Sequence, residues 1–262
     1  MNNYEFTIDS ILYYITLLNV PCTDNGKKFT DNRRVKQLET IFKRSEYNLI
    51  KKASLSRIYE HKNIDRQKPI IVVSCHIDSV YTNYWNNDLT NGTGACINGT
   101  LDNSACVGIL AFLMYYDQLP SNVVVAFTGN EEQDGKGAKQ VSRYIKKEYK
   151  DCNVKLIISL DLTNECYDKA HYTFENLTID KNNITENILE ILPEARIIID
   201  AAPDDSWTYK KYFPCFSLCL PCENIGEDMH SSLGVRIKQS SLVCFSDILQ
   251  ILLENELQQT DN

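Results

Sequence analysis

Apolar positions in this chain follow two rhythms, one helical and one strand-like, that replace each other along its length. Ile8, Ile11, Leu12, Ile15 and Leu18 recur at helical spacing and predict a first helix that stops before Pro21. Val35, Leu38, Ile41 and Phe42 form a second helical stripe, with Asp31 as its candidate N-cap. Residues 55–59 and 69–75 are β-like and are expected to form a hairpin around residues 63–68. A polar stretch rich in Asn, Gly and Thr, residues 81–100, reads as one long loop, and such loops in compact domains are usually functional. A helix is expected from Asn103-Ser104 through Ile109, Leu110, Leu113 and Met114 toward Asp117. Strand-like runs follow at residues 123–128 and 154–160, separated by an acidic, glycine-containing loop and a basic-faced helix ending near Lys150. Residues 197–199 and 216–220 are two further β candidates. A last helix, residues 239–253, is apolar nearly all round, which predicts burial against a sheet.

Strands alternating with helices predict an α/β fold: a three-layer sandwich whose mixed, largely parallel central sheet is flanked by helices. No internal repeat or linker composition divides the chain, so residues 1–262 are read as one catalytic domain. The net charge is −8 and Lys and Arg are scattered, which argues against a nucleic-acid footprint. No apolar run is long enough to span a bilayer, and the first residues lack a signal-peptide pattern. A cytoplasmic location and no membrane partner are the corresponding expectations. The chain holds ten cysteines, but it is too long to be a disulfide-stapled miniprotein. Cys215, Cys219 and Cys222 alone have ligand-like spacing; they lack a fourth ligand and read as buried thiols.

The chemistry lies where apolar runs end. His76 and Asp78 follow one such run, Glu131 and Glu132 another, and Asp161 closes a third, while Asp102-Asn103 sits in a glycine-flanked loop. Ligands collect at the carboxyl ends of strands in open α/β sheets. A solvated surface would not keep placing acids at the same end of successive strands. On extended backbone His76 and Asp78 point to one side, so one can ligate a metal while the other steers it. Glu131 and Glu132 are adjacent and should diverge, one toward a metal and the other toward an attacking water as general base. Asp102, Glu132 and Asp161 bring three negative charges, which two dications with a shared hydroxide would balance. Without cations such carboxylates would raise one another's pKa values. Of the four histidines, His61 reads as a surface residue, and His171 has no evident partner.

These motifs, with His230-Ser231 completing them, resemble the compact single-domain co-catalytic zinc aminopeptidases, the leucyl-aminopeptidase-like zinc exopeptidases of metallopeptidase clan MH. The resemblance runs from about residue 8 to residue 253. It rests on His76-x-Asp78, Asp102-Asn103, Glu131-Glu132, Asp161 and His230 in family order, with Leu18-Asn19-Val20-Pro21-Cys22 similar to the family's amino-terminal segment. It implies the zinc-peptidase/phosphorylase-like fold and two zinc ions per chain, although other divalent transition metals fit such ligands. Asp102 would bridge the ions, His76 and Asp161 would complete one site, and Glu132 and His230 the other. Glu131 would be the general base, Asp78 the partner of His76, and Asp205 a residue shaping the amine-binding end of the pocket. Short intervals between the motifs leave no room for the lid or dimerisation domains of some relatives. Two departures stand out. Ala105-Cys106 replaces the usual Ser-Gly pair, and Gly234 lies where an acid commonly follows the His-Ser motif.

The resemblance implies a peptide or amino-acid-derived substrate and hydrolysis of an N-terminal peptide bond. Two other readings are a dizinc deacylase or carboxypeptidase, separated by comparing free-amine with N-acyl substrates, and an inactive binding protein, marked by negligible zinc and no hydrolysis.

Overall fold

The computed structural model describes residues 3–21, 32–81, 83–86, 95–177, 184–199 and 201–258. Helices α1 (Asn3–Leu18) and α2 (Arg33–Ile41) precede strands β1 (Tyr47–Lys52), β2 (Ser56–His61) and β3 (Ile70–His76). Then come β4 (Cys96–Gly99), α3 (Ser104–Tyr115), β5 (Val123–Thr128), α4 (Lys136–Glu148) and β6 (Val154–Thr163). The remainder adds β7 (Thr173–Glu175), α5 (Ile184–Ile191), β8 (Ile197–Ile198), α6 (Ser206–Tyr209) and β9 (Cys215–Pro221). It ends with β10 (Glu223–Asn224), β11 (Val235–Lys238) and α7 (Gln239–Gln258).

The main sheet has the order β1-β2-β5-β3-β6-β9-β7-β8. Its centre, β5-β3-β6-β9, is parallel, and β2 and β7 join it antiparallel. Central parallel strands are covered on both faces, which explains their near-continuous apolar runs. Odd-numbered residues of β3 and β5 (Ile71, Val73, Val125, Phe127) pack with α1, α3 and α7. The alternate residues Ile70, Val72, Val124 and Ala126 pack on the other face, against α4 and α6. Helix α3 is buried from Ser104 to Met114, as its all-round apolar sequence requires. No helix among the described residues is long and apolar enough to cross a membrane.

Three local expectations change. Residues 55–59 and 69–75 do not form a hairpin, because β5 lies between β2 and β3 and pairs with both. The uninterrupted apolar run of β5 needs neighbours on both edges, and Asn122 secures the displaced connection by bonding the backbone of Asp65 and Pro69. The stretch 81–100 is not all loop: β4 pairs with β11, its Cys-Ile-Asn-Gly sequence being too short to register as a strand beforehand. His61 is not a surface residue but 5% exposed, bonded to Asp117 at 3.0 Å and set against the Tyr47 ring. Asp31 lies outside the described residues; Asn32 caps α2, its Oδ1 accepting from the amides of Arg34 and Val35. His171 bonds the Ser241 hydroxyl at 2.9 Å. Cys215, Cys219 and Cys222 are buried free thiols.

Helix α4 crosses so close to the end of β5 that only glycine fits at residue 137. A Cβ there would press on the Gly129 backbone and come within 2.8 Å of the Leu55 carbonyl. Gly137→Ala should therefore cost about 1–3 kcal/mol through overpacking, roughly 2–10 °C in Tm at this size. Thermal melts by circular dichroism check this, and an unchanged Tm would show that the crossing can relax.

Candidate metal centre

The pleat of the sheet assembles the site. On the face toward α4 and α6, the carboxyl halves of the strands turn polar: Ser74 and His76 on β3, Ser159 and Asp161 on β6, Ser217 and Cys219 on β9. These rows are in register, since Ser74 pairs with Ser159, Ser159 with Ser217, and Asp161 with Cys219. The β3–β6 register runs to the Cys75–Leu160 pair, and the next residue on each strand is His76 and Asp161, which the ladder therefore sets side by side. Their contact is His76 Nε2 to Asp161 Oδ1 at 3.2 Å.

Asp102 arrives from the loop between β4 and α3, just before the first turn of α3. Its Oδ1 lies 3.4 Å from His76 Nε2, and its Oδ2 lies 3.1 Å from His230 Nε2. One carboxylate thus faces two imidazoles with different oxygens. His230 also reaches Glu132 Oε2 at 3.5 Å. Three groups follow, each offering ligand atoms within 4.8 Å of one another: His76, Asp102 and Asp161; Asp102, Glu132 and His230; and His76, Glu131 and Glu132. Glu131 and Glu132 do not diverge as an extended backbone would make them. They sit on a turn opened by left-handed Asn130 (φ 62°), whose carbonyl accepts from the amides of Asp134 and Gly135, so both carboxylates face the His76 side. Asp78 Oδ1 is 3.7 Å from His76 Nδ1, while its Oδ2 accepts from the Glu132 amide at 3.3 Å.

Electrostatics at the cluster are severe. Burial, with Asp161 nearby, pushes the Glu131 carboxyl up to about 9. Burial and Asp102 push Glu132 up to about 7, and burial raises Asp161 to about 6. Burial also works against the charge of Asp102, but His230 and His76 outweigh it and hold that carboxyl below the ordinary range. Burial opposes charging of His76, yet Asp161, Asp102 and Asp78 carry it well above its usual value. The hydrogen bond to Asp102 lifts His230 to about 9.

The donor set fits divalent transition ions. Asp102 Oδ1 and Glu132 Oε1 are buried and accept no hydrogen bond, so their lone pairs are unsatisfied by the protein. The four closest contacts, 3.1–3.5 Å, match the ligand-to-ligand separation of about 3.3 Å that tetrahedral zinc with 2.0 Å bonds imposes. The candidate ligands all line one cavity of about 310 Å³.

Asp205 stands elsewhere. It is buried beneath the end of β5, accepts from the Thr128 hydroxyl at 2.6 Å, and does not line the cavity. Its neighbour Asp204 does, because the turn that starts α6 points successive side chains apart. Burial raises the Asp205 carboxyl to about 7.

Several supporting residues gave no signal in the sequence. Arg34 is completely buried, donating from Nε to the Leu18 carbonyl at 2.7 Å and from Nη1 to the Ile77 carbonyl at 3.1 Å. It thereby anchors the backbone between His76 and Asp78 to the end of α1. Asn103 Nδ2 donates to the Leu160 carbonyl at 2.9 Å and ties the Asp102 loop to β6. The His230 loop is held from the other side: the Tyr81 hydroxyl donates to the Met229 carbonyl, and Trp85 Nε1 to the Ser232 carbonyl at 3.0 Å. Such donors on apolar rings resemble core aromatics until the fold is known.

The two departures noted in the sequence acquire local reasons. Cys106 lies against the Asp161 carbonyl, its thiol donating at 3.3 Å. Gly234 has φ +67° and packs on the Gly99 carbonyl, a place with no room for a side chain.

Residues 58–195, just over half of the chain, match the profile of Peptidase family M28. No curated protein matches by sequence. Among solved structures, the chain is similar to the LapA aminopeptidase of Legionella pneumophila, with 13% identity, 98% of this chain and 74% of that one covered, and a TM-score of 0.68. It is similar to aminopeptidase APDkam598 of the archaeon Desulfurococcus kamchatkensis, at 11% identity over 97% and 98% of the two chains, with a TM-score of 0.71. A third is the YXEP protein of Bacillus subtilis, a dinuclear metal binding peptidase of family M20, at 10% identity over 98% and 100% with a TM-score of 0.63. At these identities the likeness is one of fold.

The raised pKa values make a signed prediction for metal-free protein. Glu131, Glu132 and Asp161 hold protons in the folded state at pH values where the unfolded chain has released them, so stability falls as pH rises from about 4.5 to about 9. The ion-paired histidine works in the same direction: His230 stabilises below about 6.5 and loses that contribution toward about 9. After chelation, Tm should drop between pH 5.5 and 8.5 by on the order of 5 °C, and added zinc should restore more at the higher pH. A flat or rising profile in chelator would contradict the charge arrangement.

Proposed function

The chain belongs to peptidase family M28 and is a metallopeptidase, and on that premise we propose that it is a dizinc aminopeptidase acting from residues 1–262 as one catalytic domain. The observation that carries this reading is the two-sided contact of Asp102, with Oδ1 toward His76 and Oδ2 toward His230. His76 and Asp161 with one oxygen of Asp102 would hold one zinc ion, and Glu132 and His230 with the other oxygen would hold the second. Bound there, the ions supply Lewis acidity, lowering the pKa of a water and polarising the scissile carbonyl.

The chain's own residues do the remainder. Glu131 lines the cavity beside the ligands and acts as general base, taking the proton of the attacking water and passing it to the departing amine. It must be ionised to do so. Burial and neighbouring carboxylates oppose ionisation in the metal-free cluster, and bound cations reverse the sign of that field. Asp78 is a positioning residue: it sits at the Nδ1 side of His76, orients that ring, and links it to the Glu132 amide. The cavity is small for a ligand pocket and suits a terminal residue better than a long stretch of peptide.

Glu131→Gln should leave two zinc ions per chain and reduce kcat by about 10²–10⁴-fold. Metal analysis and turnover on the same sample check it, and retained turnover would remove Glu131 from the base role. With the intact enzyme, aminoacyl substrates should be hydrolysed and their N-acyl counterparts should not. The reverse preference would make the same centre a deacylase or carboxypeptidase. Chelation should abolish turnover and zinc should restore it; binding of peptide without hydrolysis at full zinc loading would leave an inactive binding protein.

A further inference from the structure

The two proposed metal positions are built differently. His76 and Asp161 project from β3 and β6, neighbouring strands of the main sheet, and the ladder between those strands fixes them. Asp102 and His230 come from loops instead, the first between β4 and α3, the second between β10 and β11. The His230 loop is exposed at Glu227, Asp228, Ser232 and Leu233, and the His230 side chain itself is 42% exposed. Its internal bonds are short-range: the amides of His230 and Ser231 donate to Asp228, and that of Gly234 to the Ser231 carbonyl. Met229 packs against the core, but apolar contact is non-directional. These interactions shape the loop without setting His230 Nε2 at 3.1 Å from Asp102.

The segment that follows His76 and Asp78 supplies that placement, because it grips both loops. The Tyr81 hydroxyl donates to the Met229 carbonyl, next to His230, and the Asp102 backbone amide faces the same phenol oxygen. Trp85 repeats the arrangement. Its Nε1 donates to the Ser232 carbonyl at 3.0 Å, two residues beyond His230. Its amide donates to the Thr100 hydroxyl at 3.0 Å, and its carbonyl accepts from the Thr100 amide at 2.9 Å, two residues before Asp102. The segment is itself anchored: Tyr81 is buried, and Asn19 Nδ2, just past the end of α1, donates to the Trp85 carbonyl at 2.9 Å.

We propose that Tyr81 and Trp85 form a strap that holds His230 against Asp102 and thereby governs occupancy of the second metal position, the one formed by Asp102, Glu132 and His230. Both are positioning residues, and neither lines the cavity. This inference rests on the dizinc reading above. The first position does not depend on the strap, because Asp102 is also tied to β6 through Asn103, which donates to the Leu160 carbonyl at 2.9 Å.

The test measures both zinc-binding constants of the full chain by chelator competition, in the native sequence, Tyr81→Phe, Trp85→Phe and the double variant. Tyr149→Phe is the control: Tyr149 is another buried tyrosine, at the end of α4, whose hydroxyl donates to Glu60 at 3.1 Å. In the double variant the second zinc should bind about 10–100-fold more weakly while the first is unchanged. Each single variant should show part of that loss, and Tyr149→Phe none. Two unchanged constants in the double variant overturn the proposal. So does an equal loss at both positions, or the same loss in Tyr149→Phe, either of which would mark general loosening of the fold. Should the double variant fail to fold, the single variants, each keeping an aromatic ring, carry the same comparison. If the native chain holds fewer than two zinc ions, the dizinc reading fails separately, and hydrogen exchange in metal-free protein decides the strap alone. Faster exchange over residues 226–233 in the strap variants then supports it, and unchanged exchange overturns it.

Discussion

Like charges held together out of water are the constraint on which the rest of this structure depends. Asp102, Glu131, Glu132 and Asp161 occupy one small cavity with His76 and His230 between them, and burial, with the neighbouring carboxylates, pushes the carboxyls of Glu131, Glu132 and Asp161 toward their neutral forms. Only a rigid frame can keep the ligand atoms of such groups within 4.8 Å of one another. The frame here is a parallel sheet whose strands are apolar on both faces for most of their length. Its hydrophobic burial stabilises the fold enough to tolerate an end that, without cations, is electrostatically unfavourable.

The elements around the site serve that frame. Arg34 reaches through the core to the Ile77 carbonyl, Asn103 joins α3 to β6, and Tyr81 and Trp85 hold the loop that presents His230. Gly137 and Gly234 allow backbone to approach backbone, at Gly129 and at Gly99. Arg34, Asn103, Tyr81 and Trp85 do not line the cavity, yet they fix backbone at or beside residues that do. This division separates donors that position backbone from acceptors that face the cavity. The carboxylates of Glu175 and Asp204 belong to the second group, held in place by neutral hydroxyl and amide groups.

The legibility of the chain followed from locality. Long periodic stretches, such as residues 104–115, 123–128 and 154–163, announced their type because each must bury its own surface. Short strands did not: β4, β7, β10 and β11 hold four residues or fewer, and their pairing comes from distant segments. His61 is buried for the same reason, since its polar sequence context says nothing of the Asp117 and Tyr47 that enclose it. Residues 55–59 and 69–75 are adjacent in sequence but not in space, because β5 inserts between the two strands.

By itself, the sequence determined the α/β class and membership in the wider family, and which acids and histidines lie at strand ends, because strand periodicity and residue type are local properties. Tertiary structure decided how those groups meet. It put His76 beside Asp161 through register, turned both oxygens of Asp102 toward different imidazoles, and brought Glu131 and Glu132 to the same side of a turn. It also put Asp204 and Glu175, the latter from a strand of three residues, rather than Asp205 along the cavity. The physical reason is that ligand geometry depends on differences of an ångström or less between segments far apart in the chain. Only packing sets those differences.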